Sequence, residues 1–319
     1  MSKKLVIFFS IFLMIACVSL RAQSVKEYKP SSITKVIILG SGSPDPDPHR
    51  MGPCVAIVVN DKAYIVDAGV NCVRQAAALS QEYGGSIEAL NPENLDIVFI
   101  THLHSDHTLG LPDLMNTSWV VGRNVPLRVY GPEGLKEMCK DIQESYIEDR
   151  YCRLFGLEPV NNEGWRVYVQ EYRDGGVVYK DENITVEAIK TKHGSWPINF
   201  GYKFTTPDRV VLISGDTANT KSIREAAKGV DILVHECYQT GDFGGNDPKF
   251  EKDLEFWKTY MSEFHTSSEE LANIANEAKP GLLILYHQEL WSDDQEAAAN
   301  EIRNKYKGEV ISSKDLDIF

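Results

Sequence analysis

The sequence predicts a mixed α/β sandwich, one large core with helices on both outer faces, and three observations predict it. A chain of 319 residues is long for an average domain but ordinary for a single α/β sandwich. Short β-rich runs alternate with helix-forming stretches, and no repeat, low-complexity tract or Pro/Ser-rich linker interrupts residues 33–319. Hydrophobic residues at 43% and charged residues at 25% are globular values, which exclude a disordered chain and a multi-span membrane protein.

The first element is a leader. Lys3 and Lys4 precede the apolar run Leu5 to Leu20, and the small residue Ala22 follows. This is the pattern of a signal peptide over residues 1–22, with one mature domain at 23–319. The run is short for a retained anchor and lacks a stop-transfer flank, so no stable transmembrane span is expected after cleavage. Met14-Ile15-Ala16-Cys17 also loosely matches a bacterial lipobox, which would leave a lipoprotein anchored through Cys17. Either route exports the mature chain, to the periplasm or as a secreted protein.

Lys35 to Leu39 reads as a strand that breaks at Gly40-Ser41-Gly42-Ser43-Pro44. Val55 to Val59 and Ala63 to Val66 are strands joined through the turn pair Asn60-Asp61, and Ile97 to Ile100 is a fourth. Val73 to Gln81 and Gly134 to Ile147 have helix-forming composition. Strands at Ile184 to Ile189, Val210 to Ser214, Ile232 to His235 and Leu282 to Tyr286 then alternate with helices around Ile223, Leu271 and Ala297.

Formal net charge is −13, and losing Lys3, Lys4 and Arg21 with the leader lowers it by three to −16. Such acidity opposes a polyanion partner and favours a small-molecule substrate. Of the six cysteines, Cys54, Cys72, Cys139, Cys152 and Cys237 remain after Cys17, with no CxxC spacing, which excludes zinc-finger chemistry. One or two disulfides and buried thiols both stay open.

The strand Ile97 to Ile100 runs into Thr101-His102-Leu103-His104-Ser105-Asp106-His107. Alternate residues at a strand end point the same way, so His102 and His104 can grip one ion while Asp106 and His107, on the turn, face a second. His193, Asp216 and His287 each follow a hydrophobic strand, and ligands from several strand ends converge on one edge of a sheet. Imidazole and carboxylate ligation suits zinc and also admits manganese or iron. Two ions a few Å apart share a hydroxide at neutral pH and stabilise a developing oxyanion, which is hydrolytic chemistry.

These motifs, with Val66-Asp67-Ala68-Gly69 and Ser214-Gly215-Asp216-Thr217, make nearly all of the mature chain resemble the metallo-β-lactamase superfamily. Leu39-Gly40-Ser41-Gly42-Ser43-Pro44, Leu109-Gly110-Leu111-Pro112, Gly122-Arg123, Tyr130-Gly131-Pro132 and His265-Thr266 resemble its tRNase Z and arylsulfatase-like branch. The stretches Ala227-Lys228-Gly229 to Cys237 and Phe264-His265-Thr266-Ser267 are similar to exported environmental metallo-β-lactamases, themselves related to tRNase Z. The resemblance implies an αββα four-layer sandwich holding two zinc ions. It assigns His102, His104 and His193 to one ion, Asp106, His107 and His287 to the other, and Asp216 as the bridge. Asp67 would orient ligand histidines by accepting their remaining N–H. His265 matches the proton-donating histidine of the tRNase Z branch, and Glu236 would orient it. Asp106, His265 and Glu236 thus join the catalytic set, although His265 capping a helix that starts near Ser267 is the plainer alternative. His235 reads as structural and His49 as an exposed loop residue.

Two departures argue against tRNA 3′ processing. Only 22 residues separate His193 from Asp216, where tRNase Z enzymes insert a long arm that holds tRNA, and Gln288-Glu289-Leu290-Trp291 stands where they carry a phosphate-binding Ser-x-Arg-Tyr run. The favoured expectation is a hydrolase of small phosphodiester, sulfate or carboxylic esters. A β-lactamase is the alternative, and a non-catalytic metal-binding protein is a third. Trp119, Trp196 and Trp291 are candidate pocket residues. The tyrosines 146, 151, 168, 172 and 179 are candidates for a pocket wall or a face of the homo-oligomer the family admits.

Overall fold

The computed structural model describes residues 28–31, 33–245 and 253–319. The leader, with Ala22 and Cys17, lies outside them. Thirteen strands among the described residues form two mixed sheets. In chain order they are β1 (Thr34–Gly40), β2 (Cys54–Val59), β3 (Lys62–Val66), β4 (Ile97–Phe99), β5 (Leu127–Pro132), β6 (Val167–Tyr172), β7 (Gly176–Lys180), β8 (Thr185–Lys190), β9 (Phe200–Thr205), β10 (Val210–Ile213), β11 (Ile232–Tyr238), β12 (Leu282–Glu289) and β13 (Val310–Ser312).

The first sheet has the order β1-β2-β3-β4-β5-β6, antiparallel through β3 and parallel beyond it. The second, β13-β12-β11-β10-β9-β8-β7, is parallel from β13 to β10 and antiparallel from there. Alternation along the strands explains the layering. Val36, Ile38, Ile57, Tyr64, Val66 and Phe99 of the first sheet pack against Phe200, Tyr202, Phe204, Val211, Val234 and Ile284 of the second, forming a dry layer between the sheets. The opposite-facing Ile37, Leu39, Ala56 and Val98 lie under the helices Cys72–Leu79 and Leu111–Val120, with Leu135 and Cys139 of Leu135–Ser145. Leu212, Leu233, Leu283 and Leu285 lie under the helices Lys221–Ala227, Ser268–Ala278 and Ala297–Lys305. The αββα sandwich expected from the sequence is what forms.

Several elements differ from expectation. The stretch 134–182 holds two helices, Leu135–Ser145 and Ile147–Phe155, and then the edge strands β6 and β7. Its tyrosines divide accordingly: Tyr172 hydrogen-bonds Tyr202 at 2.6 Å and Tyr179 is buried between the sheets, while Tyr146, Tyr151 and Tyr168 are exposed. Trp119 belongs to the interior. It is buried, and its indole donates to Asn161 O at 2.9 Å. Arg123 beside it is also fully buried and donates to the carbonyls of Leu95, Leu114, Met115 and Gly164, so this cation ties loops together. The described cysteines are free thiols, buried except for Cys152.

The edge of the first sheet is closed by the C-terminal residues. Val36 and Phe319 exchange backbone hydrogen bonds at 2.9 Å, Ile38 N donates to Asp317 O, and Leu316 N donates to Ile38 O. No described helix is long and apolar enough to cross a membrane.

Candidate metal centre

Strand ends place the site. Asp67 directly follows β3 and stands at φ +60°, a left-handed conformation that is uncommon for a non-glycine residue and here turns its carboxylate inward. Its Oδ1 accepts from Thr101 N at 2.8 Å, and its Oδ2 accepts from His107 Nδ1 at 2.8 Å. The chain leaving β4 passes through His102 and His104 and enters the short helix Ser105–Thr108, which aims Asp106 and His107. His193 follows β8, and Asp216 follows β10 through Gly215. At Gly215 φ is +58°, and a Cβ would stand 2.9 Å from the Thr101 side chain, so only glycine lets this turn pack against the motif.

His287 and Glu236 were expected just past strand ends, yet both lie inside strands. Between β11 and β12 the register shifts, with His235 opposite Leu285 and Cys237 opposite Gln288. Tyr286 and His287 therefore oppose the single residue Glu236, which is a β-bulge. The bulge puts His287 at φ +44°, and its N–H donates to Ser41 O at 2.9 Å. No strand-end signal marks such a bulge.

The structure brings every metal-ligand candidate together. The donor atoms of His102, His104, His193 and Asp216 lie within 4.8 Å of one another, as do those of Asp106, His107 and His287, and those of Asp216, His265 and His287. His102 Nε2 and His104 Nδ1 are 2.8 Å apart, and His193 Nε2 stands 3.1 Å from His104 Nδ1. Asp216 lies between the groups, its carboxylate 3.4 Å from both His107 Nε2 and His287 Nε2 and 3.8 Å from His193 Nε2.

Second contacts fix which nitrogen each ring offers. His193 Nδ1 donates to Phe264 O at 2.6 Å, His102 Nδ1 faces Thr101 Oγ1 at 3.0 Å, and His107 Nδ1 faces Asp67. Nε2 of His193 and His102 is thereby left as a lone pair facing inward, and in His107 Nε2 is the nitrogen turned towards Asp106 and Asp216. His107 Nε2 and Asp216 Oδ1 are buried and make no hydrogen bond among the described residues. The two stand 3.4 Å apart without a hydrogen bond between them, and buried polar atoms are normally satisfied, so this nitrogen and oxygen fit ligands of a cation.

Electrostatics divides the cluster. Burial pushes His102 well below the ordinary imidazole value and takes His193 down to about 3, leaving both neutral. Burial opposes charge at His107 and His287 as well, but there Asp216 and Asp106 outweigh it, raising His107 strongly and His287 to about 10. Burial works to raise Asp106, and His107 and His287 overcome it, holding that carboxyl at about 2. His265 sits beside the cluster with Nδ1 3.3 Å from Glu236 Oε2. Burial again opposes its charge, and the Glu236 carboxylate raises it above the ordinary value.

His265 does not cap the next helix. Ser267 does so in a capping box with Glu270, while His265 terminates the helix Leu254–Phe264. Glu236 also accepts from Thr266 N at 2.9 Å, which fixes the carboxylate. His235 is buried with Nδ1 2.6 Å from Glu236 O, and His49 is an exposed loop residue, as expected. Sequence reasoning missed three parts: Thr101 as the link between Asp67 and His102, the carbonyl of Phe264 on His193, and Trp196 on the metal cluster itself. Trp196 Nε1 donates to His104 Nε2 at 2.6 Å.

Residues 62–288 match the family described as the beta-lactamase superfamily domain. The chain is 30% identical over 261 residues to the ribonuclease Z of a Mycobacterium species (strain KMS), covering 79% of this chain and 83% of that one. Among solved structures, the metallo-beta-lactamase fold protein YhfI from Bacillus subtilis superposes with a TM-score of 0.66 at 18% identity, over 90% of this chain and 99% of that one. The short form of human tRNase Z gives 0.59 at 20% identity, over 89% and 98%. Fold, site and family match agree: the chain belongs to the metallo-β-lactamase superfamily and is related to tRNase Z. It is a metal-dependent hydrolase.

Proposed function

We propose that the protein is an exported dinuclear zinc hydrolase of small esters, phosphodiesters first among them. The observation that carries this reading is Asp216, one buried carboxylate placed against imidazoles of both ligand groups. His102, His104 and His193 would hold one ion, Asp106, His107 and His287 the other, and Asp216 both. Two zinc ions held there would make a shared water nucleophilic at neutral pH and stabilise negative charge on the ester. His265, kept protonated by Glu236, is placed to give the leaving group its proton. Phe264 O and Asp67 hold His193 and His107 in the tautomers that ligation needs.

The curated relatives are named ribonuclease Z. Three features favour a small substrate here. The segment between His193 and Asp216 holds only the β9–β10 hairpin. Gln288 and Glu289 follow His287 with no cation among them, and the formal net charge of −13 repels a polyanion. A structure described as a diphosphatase of the PhnP family shares the fold with a TM-score of 0.59. Export rests on the leader sequence, and appearance of a processed N-terminus after residue 22, or at Cys17, in cells expressing the full chain would test it.

The decisive experiment compares bis(p-nitrophenyl) phosphate, nitrocefin and a precursor tRNA on zinc-loaded wild type and Asp216→Ala. Metal-dependent cleavage of the phosphodiester that is lost in Asp216→Ala is the expected result. Turnover of nitrocefin alone would make the protein a β-lactamase, and precise processing of the precursor would make it a tRNA enzyme. An unchanged rate in Asp216→Ala overturns the dinuclear mechanism.

A further inference from the structure

The helix Leu254–Phe264 runs up to the metal centre and leaves its aromatic side uncovered. Of its 11 residues only Met261 is buried, while Leu254 and Phe256 are 39% and 54% exposed and Trp257, Tyr260 and Phe264 are half-buried. A helix that served packing alone would turn such residues inward. Large apolar surface left open beside a polar site is the mark of a ligand-binding groove.

Phe256, Tyr260 and Phe264 recur every four residues and so share one helix face. Their rings form a row. Centroids of Phe256 and Tyr260 are 6.4 Å apart with 30° between the planes, and those of Tyr260 and Phe264 are 4.3 Å apart with 20°. The row ends on a metal-ligand candidate: the Phe264 ring meets the His193 ring edge to face, with centroids 5.1 Å apart.

A second, independent observation is how the chain makes room for that contact. Gly194, next to His193, stands at φ +50°, and a Cβ there would lie 2.0 Å from the Phe264 ring. Its N–H donates to Glu263 O at 2.9 Å, which ties the ligand loop to the end of the helix. Within the same ligand group, the Trp196 ring lies edge to face with His104, centroids 4.8 Å apart. His104 and Asp106 are half-buried, so solvent reaches both ligand groups. Burial raises the Tyr260 phenol above its ordinary value, with Glu289 and then Asp216 adding to it, so its hydroxyl is within electrostatic reach of the carboxylate shared by the two groups.

Rings attract a further ring, offset-stacked or edge to face, beyond what the buried area gives, whereas a saturated ring of the same size gains the area alone. We infer that Phe256, Tyr260 and Phe264 form the substrate-selecting wall of the metal centre, binding an aromatic group of the ester whose scissile bond is held there. The inference rests on the hydrolase reading above and deepens it, since it names the substrate class as esters bearing an aromatic ring.

The test uses the zinc-loaded full chain with benzyl methyl phosphate and cyclohexylmethyl methyl phosphate, which have similar alkyl ester bonds and differ in the aromaticity of one ring. Wild type should favour the benzyl ester in kcat/KM by about tenfold, mainly through KM, and Phe256→Leu/Tyr260→Leu should lower that preference to about twofold or less. Phe264 is kept, because its carbonyl holds His193. Phe256→Leu alone, at an exposed position, should lower the preference part of the way and keeps the test open if the double variant does not fold. Benzylphosphonate and cyclohexylmethylphosphonate, whose carbon–phosphorus bonds survive hydrolysis, are titrated calorimetrically into the same proteins, and the benzyl compound should bind wild type more tightly by a similar factor. Equal kcat/KM for the two esters together with equal affinities for the two phosphonates overturns the wall. A wild-type dimer that Phe256→Glu splits also overturns it, by assigning the row to a second copy of the chain. If neither ester is cut but benzylphosphonate is preferred in a manner that depends on Phe256 and Tyr260, the hydrolase reading fails and the aromatic site stands.

Discussion

The two ligand groups reach the same point of the molecule by opposite electrostatics. In the first, imidazoles face imidazoles: burial keeps His102 and His193 neutral, so their lone pairs are ready. In the second, carboxylates face imidazoles: Asp106 and Asp216 overcome burial and hold protons on His107 and His287. An ion entering the first group displaces few protons, whereas an ion entering the second must displace protons those carboxylates hold in place. The difference predicts unequal affinities that depend unequally on pH.

Asp216→Ala offers the largest break in this comparison, because the residue serves both groups. Its kcat should fall on the order of a thousandfold, and zinc counted by plasma emission should drop in both groups. Next come His102→Ala and His107→Ala, each expected to lower the zinc content from two ions per chain towards one. A content unchanged in both would abolish the division into groups. The acid side of the comparison is sharpened by titration. Because the folded-state values of His107 and His287 lie above the ordinary one, protonation competes there at higher pH than at His193, which lies at about 3. Lowering the pH should therefore release the second ion first, in two steps when followed with a chromogenic chelator, and one joint step would contradict the assignment.

Asp67→Asn should weaken zinc by about ten- to hundredfold, mainly in the second group, since the carboxylate holds His107 directly and reaches His102 only through Thr101. The smallest effect belongs to Trp196→Phe. When His104 Nδ1 is a ligand, its proton must sit on Nε2, where Trp196 now donates. The indole must then turn away, so zinc should change the fluorescence of wild type more than that of Trp196→Phe, while affinity changes by no more than about threefold. Identical zinc-induced signals in the two proteins would show that the indole stays put.

Much of this site was legible because its residues stand where hydrophobic runs stop. His102, His104, His193 and Asp216 follow runs whose alternation or β-branched content marks strands, and their gathering follows from the sheets. His287 was identified by type and neighbourhood, but its bulge was not, because an extra residue in one strand leaves no mark in that strand's own sequence. The edge strands β6 and β7 were missed for a related reason. Both lie at sheet edges and their residues are exposed or half-buried apart from Tyr179, so their apolar runs stay at three residues. Trp119 looked like a pocket residue because composition alone cannot tell a ring beside a ligand from one packed against Gly164 and bonded to Asn161 O.

The pairing of β1 with residues 316–319 has a consequence for how the molecule comes into being. Val36 bonds Phe319 with nearly the whole described chain lying between them, so this contact is among the most non-local in the fold. Loop closure on that scale is slow compared with helix or hairpin formation. The outer strand of the first sheet must stay unpaired along one edge until residues 316–319 have been made and have found it. A nascent chain in that condition is slow to reach its final shape, and while it waits it remains threadable.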